Sequence, residues 1–174
     1  MEGVDDMKIE YVHGSKYGNG AEVAEEFKAR MARRNVEVAV HHVHGITAAT
    51  LPPADLYVFS SPGRMGRPIR SIHRFLKELA LPAGTRYALL TTEMEPKPDK
   101  ATGQMPTEEE ICRYQHVRPN MNEVLQDKGM VEVAEEKVYV TGMKGPLEDG
   151  WRDKVGAFAD RLLALTAVAA CLIG

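Results

Sequence analysis

The first apolar segment, Met7 to His13, lacks a helical period and ends at Gly14, so it predicts a strand. Beyond the glycine the period changes. Val23, Phe27 and Met31 recur every four residues with Ala24 beside them, and Glu22, Glu25, Glu26, Lys28, Arg30 and Arg33 take the opposite face, which is the pattern of an amphipathic helix. Val36 to Val43 is rich in β-branched residues and predicts a second strand. The run Leu56-Tyr57-Val58-Phe59 has no polar break, as expected of a central strand covered on both faces. Pro68 suits the first turn of a second helix, with an apolar stripe at Ile69, Ile72, Phe75 or Leu76, and Leu79. Gly84 separates that helix from a short buried strand, Tyr87 to Leu90.

The pattern lapses between Glu93 and Pro106, a polar stretch with three prolines and no aromatic residue, and such stretches are usually functional or mobile. Thr107 and Glu110 form a capping box for a helix that Pro119 is expected to interrupt. A second helical piece carries Met121, Val124 and Leu125 to a stop at Gly129. A last strand falls within Val131 to Val140, followed by the turn Gly142 to Pro146. The final helix starts near Asp149, with Val155, Phe158, Ala159, Leu162 and Leu165 on its core face.

Strands alternating with helices in this way predict a three-layer α/β fold, a doubly wound sandwich around a five-stranded parallel sheet. With 174 residues, the chain is expected to form a single domain, residues 1–174. The strand order that suits five such strands is 2-1-3-4-5, which reverses between strands one and three. Ligands bind at such a reversal. The loops after His13 and after Phe59 are therefore expected to flank one crevice.

Charge sharpens this picture. The net charge of −3 marks neither nucleic acid nor a membrane surface as a partner. Its distribution is uneven: no acidic residue lies between Asp55 and Glu78, where Arg64, Arg67, Arg70, Arg74 and Lys77 make a cationic block. Cys112 and Cys171 belong to no Cys-x-x-Cys pair, which fits a reducing, cytoplasmic setting, and Cys112 is read as structural. The acidic start, Met1 to Asp6, does not read as a signal peptide. Leu162 to Ile173 is apolar apart from Thr166, shorter than the roughly 20 residues of a membrane span. It is read as the end of a core-facing helix and as a candidate surface for self-association.

The first crevice loop, Gly14-Ser15-Lys16-Tyr17-Gly18-Asn19-Gly20, leads into a helix whose free amides and dipole favour an anion. Gly18 and Gly20 allow close backbone approach, Ser15 and Asn19 offer hydrogen bonds, and Lys16 adds charge. A phosphate fits these features, although a plain tight turn has the same glycines. The loop has neither the Lys-Ser/Thr pair of a Walker motif nor the Gly-x-Gly-x-x-Gly spacing of dinucleotide folds. His41, His42 and His44 cluster at the end of strand two without a carboxylate or cysteine at ligand spacing, so they read as a solvated strand end rather than a metal site.

Tyr11 to Ala24, then Ser60-Ser61-Pro62-Gly63-Arg64-Met65-Gly66-Arg67-Pro68 with Phe75-Leu76, resembles the flavodoxin family. The Ser-Lys-Tyr-Gly form of the loop is most similar to flavodoxin domains of the protoporphyrinogen oxidase and general electron-transfer type. Gly145 to Trp151 resembles the start of the last helix in some microbial flavodoxins. The resemblance implies that Ser15, Lys16, Tyr17, Gly18, Asn19 and Gly20 hold the phosphate of FMN. It implies that Ser60, Ser61, Pro62, Gly63, Arg64, Met65 and Gly66, with Thr91, Thr92 and Glu93 at the Thr91 to Met94 edge, flank the isoalloxazine ring.

Three departures from the family pattern stand out. Tyr17 and Gly20 occupy positions where threonines are usual, which removes two threonine hydroxyls. Arg64 and Met65 stand where ring-stacking aromatics are common, and both side chains pack on aromatic planes. Lys16, Arg64, Arg67 and Arg70 make the crevice cationic, which would stabilise an anionic reduced flavin and attract acidic redox partners or anionic substrates. The leading expectation is an FMN-binding electron-transfer flavoprotein. The alternatives are a flavin-dependent oxidoreductase acting on a quinone or porphyrinogen-like substrate, with the Glu93 to Pro106 loop shaping its pocket, and a domain of this fold that has lost the flavin and acts in binding or regulation.

Overall fold

The computed structural model of the chain describes residues 6–173. The reading of an acidic, leaderless start concerns Met1 to Asp6 and, apart from Asp6, lies outside them. In chain order the elements are β1 (Lys8–His13), α1 (Asn19–Ala32), β2 (Glu37–His42), β3 (Leu56–Ser60), the short hairpin strands β4 (Gly63–Arg64) and β5 (Arg67–Pro68), α2 (Arg70–Glu78), β6 (Arg86–Met94), α3 (Glu108–Tyr114), α4 (Val117–Asp127), β7 (Val131–Val140) and α5 (Trp151–Ile173).

The main sheet has the order β2-β1-β3-β6-β7, and every pairing in it is parallel. With the hairpin set aside this is the expected order 2-1-3-4-5. Val23, Phe27 and Met31 of α1 and Val155, Phe158 and Leu162 of α5 pack on the Ile9, Tyr11, Val58 and Leu90 face. Ile72, Phe75 and Leu76 of α2 and Val117, Met121 and Leu125 of α4 pack on the Val12, Phe59 and Leu89 face. All of β3 is buried, as a strand between two helical layers requires. Each fully buried Phe or Leu in these layers contributes about 1.5–3 kcal/mol.

Three expectations about the elements change. The strand read as ending at Leu90 continues to Met94, and Thr91, Thr92 and Glu93 are buried in it. Their polarity hid a strand whose polar side chains find partners: Arg118 Nε donates to Glu93 Oε2 at 2.8 Å, and the backbone pairs with β7 throughout. Pro68 belongs to β5, and α2 begins only after Ile69, whose amide is held by Ser61 Oγ at 3.0 Å. Pro119 lies in the first turn of α4, where its missing amide costs nothing. The break comes earlier, at Gln115 and His116, where the His116 amide donates to the Gly66 carbonyl at 2.6 Å.

In α5 the core face closes at Leu162 and Leu163; Leu165, Val168 and Leu172 are exposed, so the tail is not core-facing to its end. Cys112 is exposed on α3 rather than buried as structural filling. Among the described residues no helix is long and apolar enough to cross a membrane.

Candidate functional site

At the reversal between β1 and β3, the loops after these two strands and the ends of β6 and β7 enclose a cleft of about 300 Å³. Its first wall is the loop from Gly14 to Gly20. Gly18, at φ 97°, caps α1 without any side-chain hydrogen bond. The Gly18 amide is taken by Ser15 Oγ at 3.1 Å, and its carbonyl accepts from Glu22 at 2.9 Å. Among the described residues no acceptor meets the amides of Asn19, Gly20 and Ala21, so the first turn of α1 opens on the cleft with free donors. A Cβ on Gly20 would stand 3.2 Å from that of Ser15, which shows how tightly the loop folds back. Asn19 is braced by the turn after β7, since a Cβ on Gly145 would meet its Oδ1 at 2.7 Å.

The loop is also gripped from behind by histidines. The Ser15 amide donates to His13 Nδ1 at 3.2 Å, and His42 Nε2 lies 2.8 Å from the Ser15 carbonyl. The His44 amide donates to His42 Nδ1 at 3.1 Å, so a neutral His42 carries its proton on Nε2 and donates to Ser15. The His13 ring thus holds the Ser15 amide only while its Nδ1 is unprotonated. Burial, and secondarily the nearby His42, pushes the His13 pKa down from 6.5 to about 4. For the half-buried His41 and His42 the reading as a solvated strand end is therefore corrected, while His44 is exposed as that reading expects. His44 itself lies past β2 in a short 3-10 turn, with its ring 5.1 Å from that of His42. His41 does find a carboxylate, Glu10 of β1, at 2.5 Å.

The second wall is the β4–β5 hairpin. Its two central residues, Met65 (φ 51°) and Gly66 (φ 73°), both have positive φ, the conformation that a two-residue hairpin turn demands. At Gly66 a side chain would strike backbone, since its Cβ would fall 1.8 Å from the Tyr114 carbonyl oxygen. Gly63 packs similarly against Val117, and the Thr92 amide bonds the Ser61 carbonyl at 3.2 Å, so α4 and β6 fix the base of the hairpin.

Of the residues singled out from sequence, Ser15, Lys16, Tyr17, Asn19, Gly20, Pro62, Gly63, Arg64, Met65 and Thr92 line the cleft. Gly18 shapes the helix start, and Gly66 faces α3 behind the hairpin. Ser60, Ser61, Thr91 and Glu93 are buried beneath the floor. Glu93 is bound into a polar cluster in which Arg118 also reaches Glu135 at 2.6 Å. Ile69, Val140 and Met143 line the cleft without having been singled out; apolar residues carry no chemical signature, and only the sheet brings them there. Met94 lines it too, but no residue from Glu95 to Pro106 does.

No protein-family model and no curated protein matches the chain by sequence. Solved structures do match. The oxidised flavodoxin 1 of Bacillus cereus superposes with a TM-score of 0.63 at 18% identity, over 90% of this chain and 97% of that one. A flavodoxin from the domain Archaea gives 0.66 at 16% identity, over 91% and 99%. The two-electron reduced flavodoxin of Megasphaera elsdenii gives 0.65 at 13% identity, over 88% and 97%. The chain has a flavodoxin-like fold.

Proposed function

We propose that this flavodoxin-like chain binds FMN in the cleft and works as an electron carrier. The observation that carries the reading is the junction of two features at the strand-order reversal: a helix start with free amides on one wall, and an apolar slot between Met65 and Met94 on the other. The residues fit the group. The amides of Asn19, Gly20 and Ala21, with Ser15 and Lys16, would hold the phosphate, and the close approach of Gly20 to Ser15 leaves backbone rather than side chain facing it. With no threonine at positions 17 and 20, most of the phosphate contacts fall to the backbone.

Pro62, Gly63, Arg64 and Met65 would cover one side of the ring, and Thr92, Met94, Val140 and Met143 border the rest of the slot. A bound flavin would supply the one- and two-electron chemistry. The chain contributes anchorage, ring orientation and the local charge of Lys16 and Arg64, and needs no acid or base of its own for carrier work.

The test is flavin content. Protein purified without added cofactor is expected to be yellow, or to quench FMN fluorescence stoichiometrically on titration. A colourless protein that leaves FMN fluorescence unchanged would overturn the proposal and favour a binding or regulatory role. Steady turnover of NADPH with a quinone would favour an enzyme instead.

A further inference from the structure

We infer that the mouth of the cleft is a docking surface for an acidic redox protein, one that presents carboxylates around an apolar centre. The inference rests on the FMN reading for its purpose, but on separate observations for its existence. Met65 is 97% exposed and Met143 is 72% exposed, and both line the cleft. Such full exposure of large apolar side chains on both sides of one opening marks an interaction site. Met65 is also presented rigidly: it stands at φ 51° on a turn locked by the contact of Gly66 with Tyr114 and by the His116 amide. A methionine held out on a fixed turn is a pre-organised yet adaptable anchor.

Cations surround these methionines. Lys16 and Lys144 both lie over the Tyr17 ring, 5.5 and 5.9 Å from its centre, and Arg64 and Arg67 flank Met65 on the hairpin. Among the described residues none of these four forms an ion pair, and no carboxylate lines the cleft. The nearest acidic residues along the chain are Glu93, which is buried and paired with Arg118, and Glu95, just past Met94.

Charge and size decide the occupant. Arg64, Arg67 and Lys144 are exposed and, unlike Lys16, are not assigned to the phosphate, so they act on something of surface dimensions. A long polyanion would overrun the collar onto a protein whose net charge is −3. A compact acidic protein meets the collar alone.

The same net charge makes the test sharp, because the whole molecule would repel an acidic protein and only the local collar attracts it. FMN-loaded protein, its loading verified by absorbance, is reduced and mixed with an acidic [2Fe–2S] ferredoxin and, separately, with a basic c-type cytochrome. Transfer to or from the ferredoxin is expected to slow by about tenfold as ionic strength rises from about 0.01 M to about 0.15 M, where the screening length falls from about 30 Å to about 8 Å. The double variant R64Q/R67Q is expected to lose most of that salt dependence, and M65S to weaken binding several-fold with the salt slope kept.

A rate with the ferredoxin that is flat or rises with salt would overturn the inference. So would faster transfer to the cytochrome at low salt, or tighter binding of a single-stranded oligonucleotide than of the ferredoxin. If FMN does not bind, amide shifts of the flavin-free protein titrated with ferredoxin still decide: shifts centred on Met65 and Lys144 support the docking surface, and their absence rejects it.

Discussion

The loop from Gly14 to Gly20 meets the cleft with its backbone, and the hairpin from Gly63 to Pro68 meets it with its side chains. On the first wall the glycines exist to bring amides forward, and Gly18 has nothing within 4 Å of where a Cβ would stand. On the second wall Gly66 is pressed against a carbonyl so that Met65 and the flanking arginines can point outward. One wall presents free backbone donors. The other is built to be seen from outside, and it leans on α3 and α4 for stiffness.

Substitutions separate the two plans. The largest effect is expected at Gly66: alanine there meets both positive φ and the Tyr114 carbonyl, and should cost about 3 kcal/mol or more in urea unfolding. Gly18→Ala, also at positive φ but in open space, should cost only about 1 kcal/mol. Equal costs would mean that the hairpin does not depend on α3.

Next comes the support under the hairpin wall. Arg118→Leu leaves the buried Glu93 carboxylate without its cation, held only by the Thr91 hydroxyl, and should destabilise the fold by about 3 kcal/mol, read in the same assay. A loss well under that would show that the cluster relaxes into solvent.

The backbone wall is probed through its histidines. His42→Ala removes the donor to the Ser15 carbonyl and should weaken FMN binding by about tenfold while leaving riboflavin, which lacks the phosphate, unaffected. Equal losses for both ligands would remove the role. His13 adds a pH signature. Its folded pKa, about 4, lies below the ordinary 6.5, so the unfolded chain binds more protons between these values. Its contribution to stability is complete above about pH 6.5 and is lost as pH falls to about 4, and His13→Gln should flatten the stability curve across that window.

The smallest effect belongs to the exposed collar. Replacing Arg64 and Arg67 by glutamine should lower the potential at which a bound flavin takes its last electron by about 20–40 mV, since exposed charges act through well-screened fields. An unchanged potential would leave the arginines to partner recognition alone.

The layers and the parallel sheet were legible in the sequence because they follow from periodicity, which is local, and the strand order followed from the few orders that a doubly wound sheet of five strands adopts. The switch from the unbroken run Leu56 to Phe59 to the three- and four-residue spacing of Ile69, Ile72 and Leu76 already separates strand from helix. The glycines and turn-forming residues of both crevice loops could also be read, because backbone geometry restricts which residues stand there. Thr91 to Glu93 could not be placed in a strand, since polar residues enter a sheet interior only when a distant partner such as Arg118 arrives to satisfy them. Nor could the positions of Met143 and Val140 at the cleft, the histidine grip on Ser15, or the isolation of Met65 be foreseen. Each depends on side chains brought together from remote segments, and only the tertiary structure sets those distances.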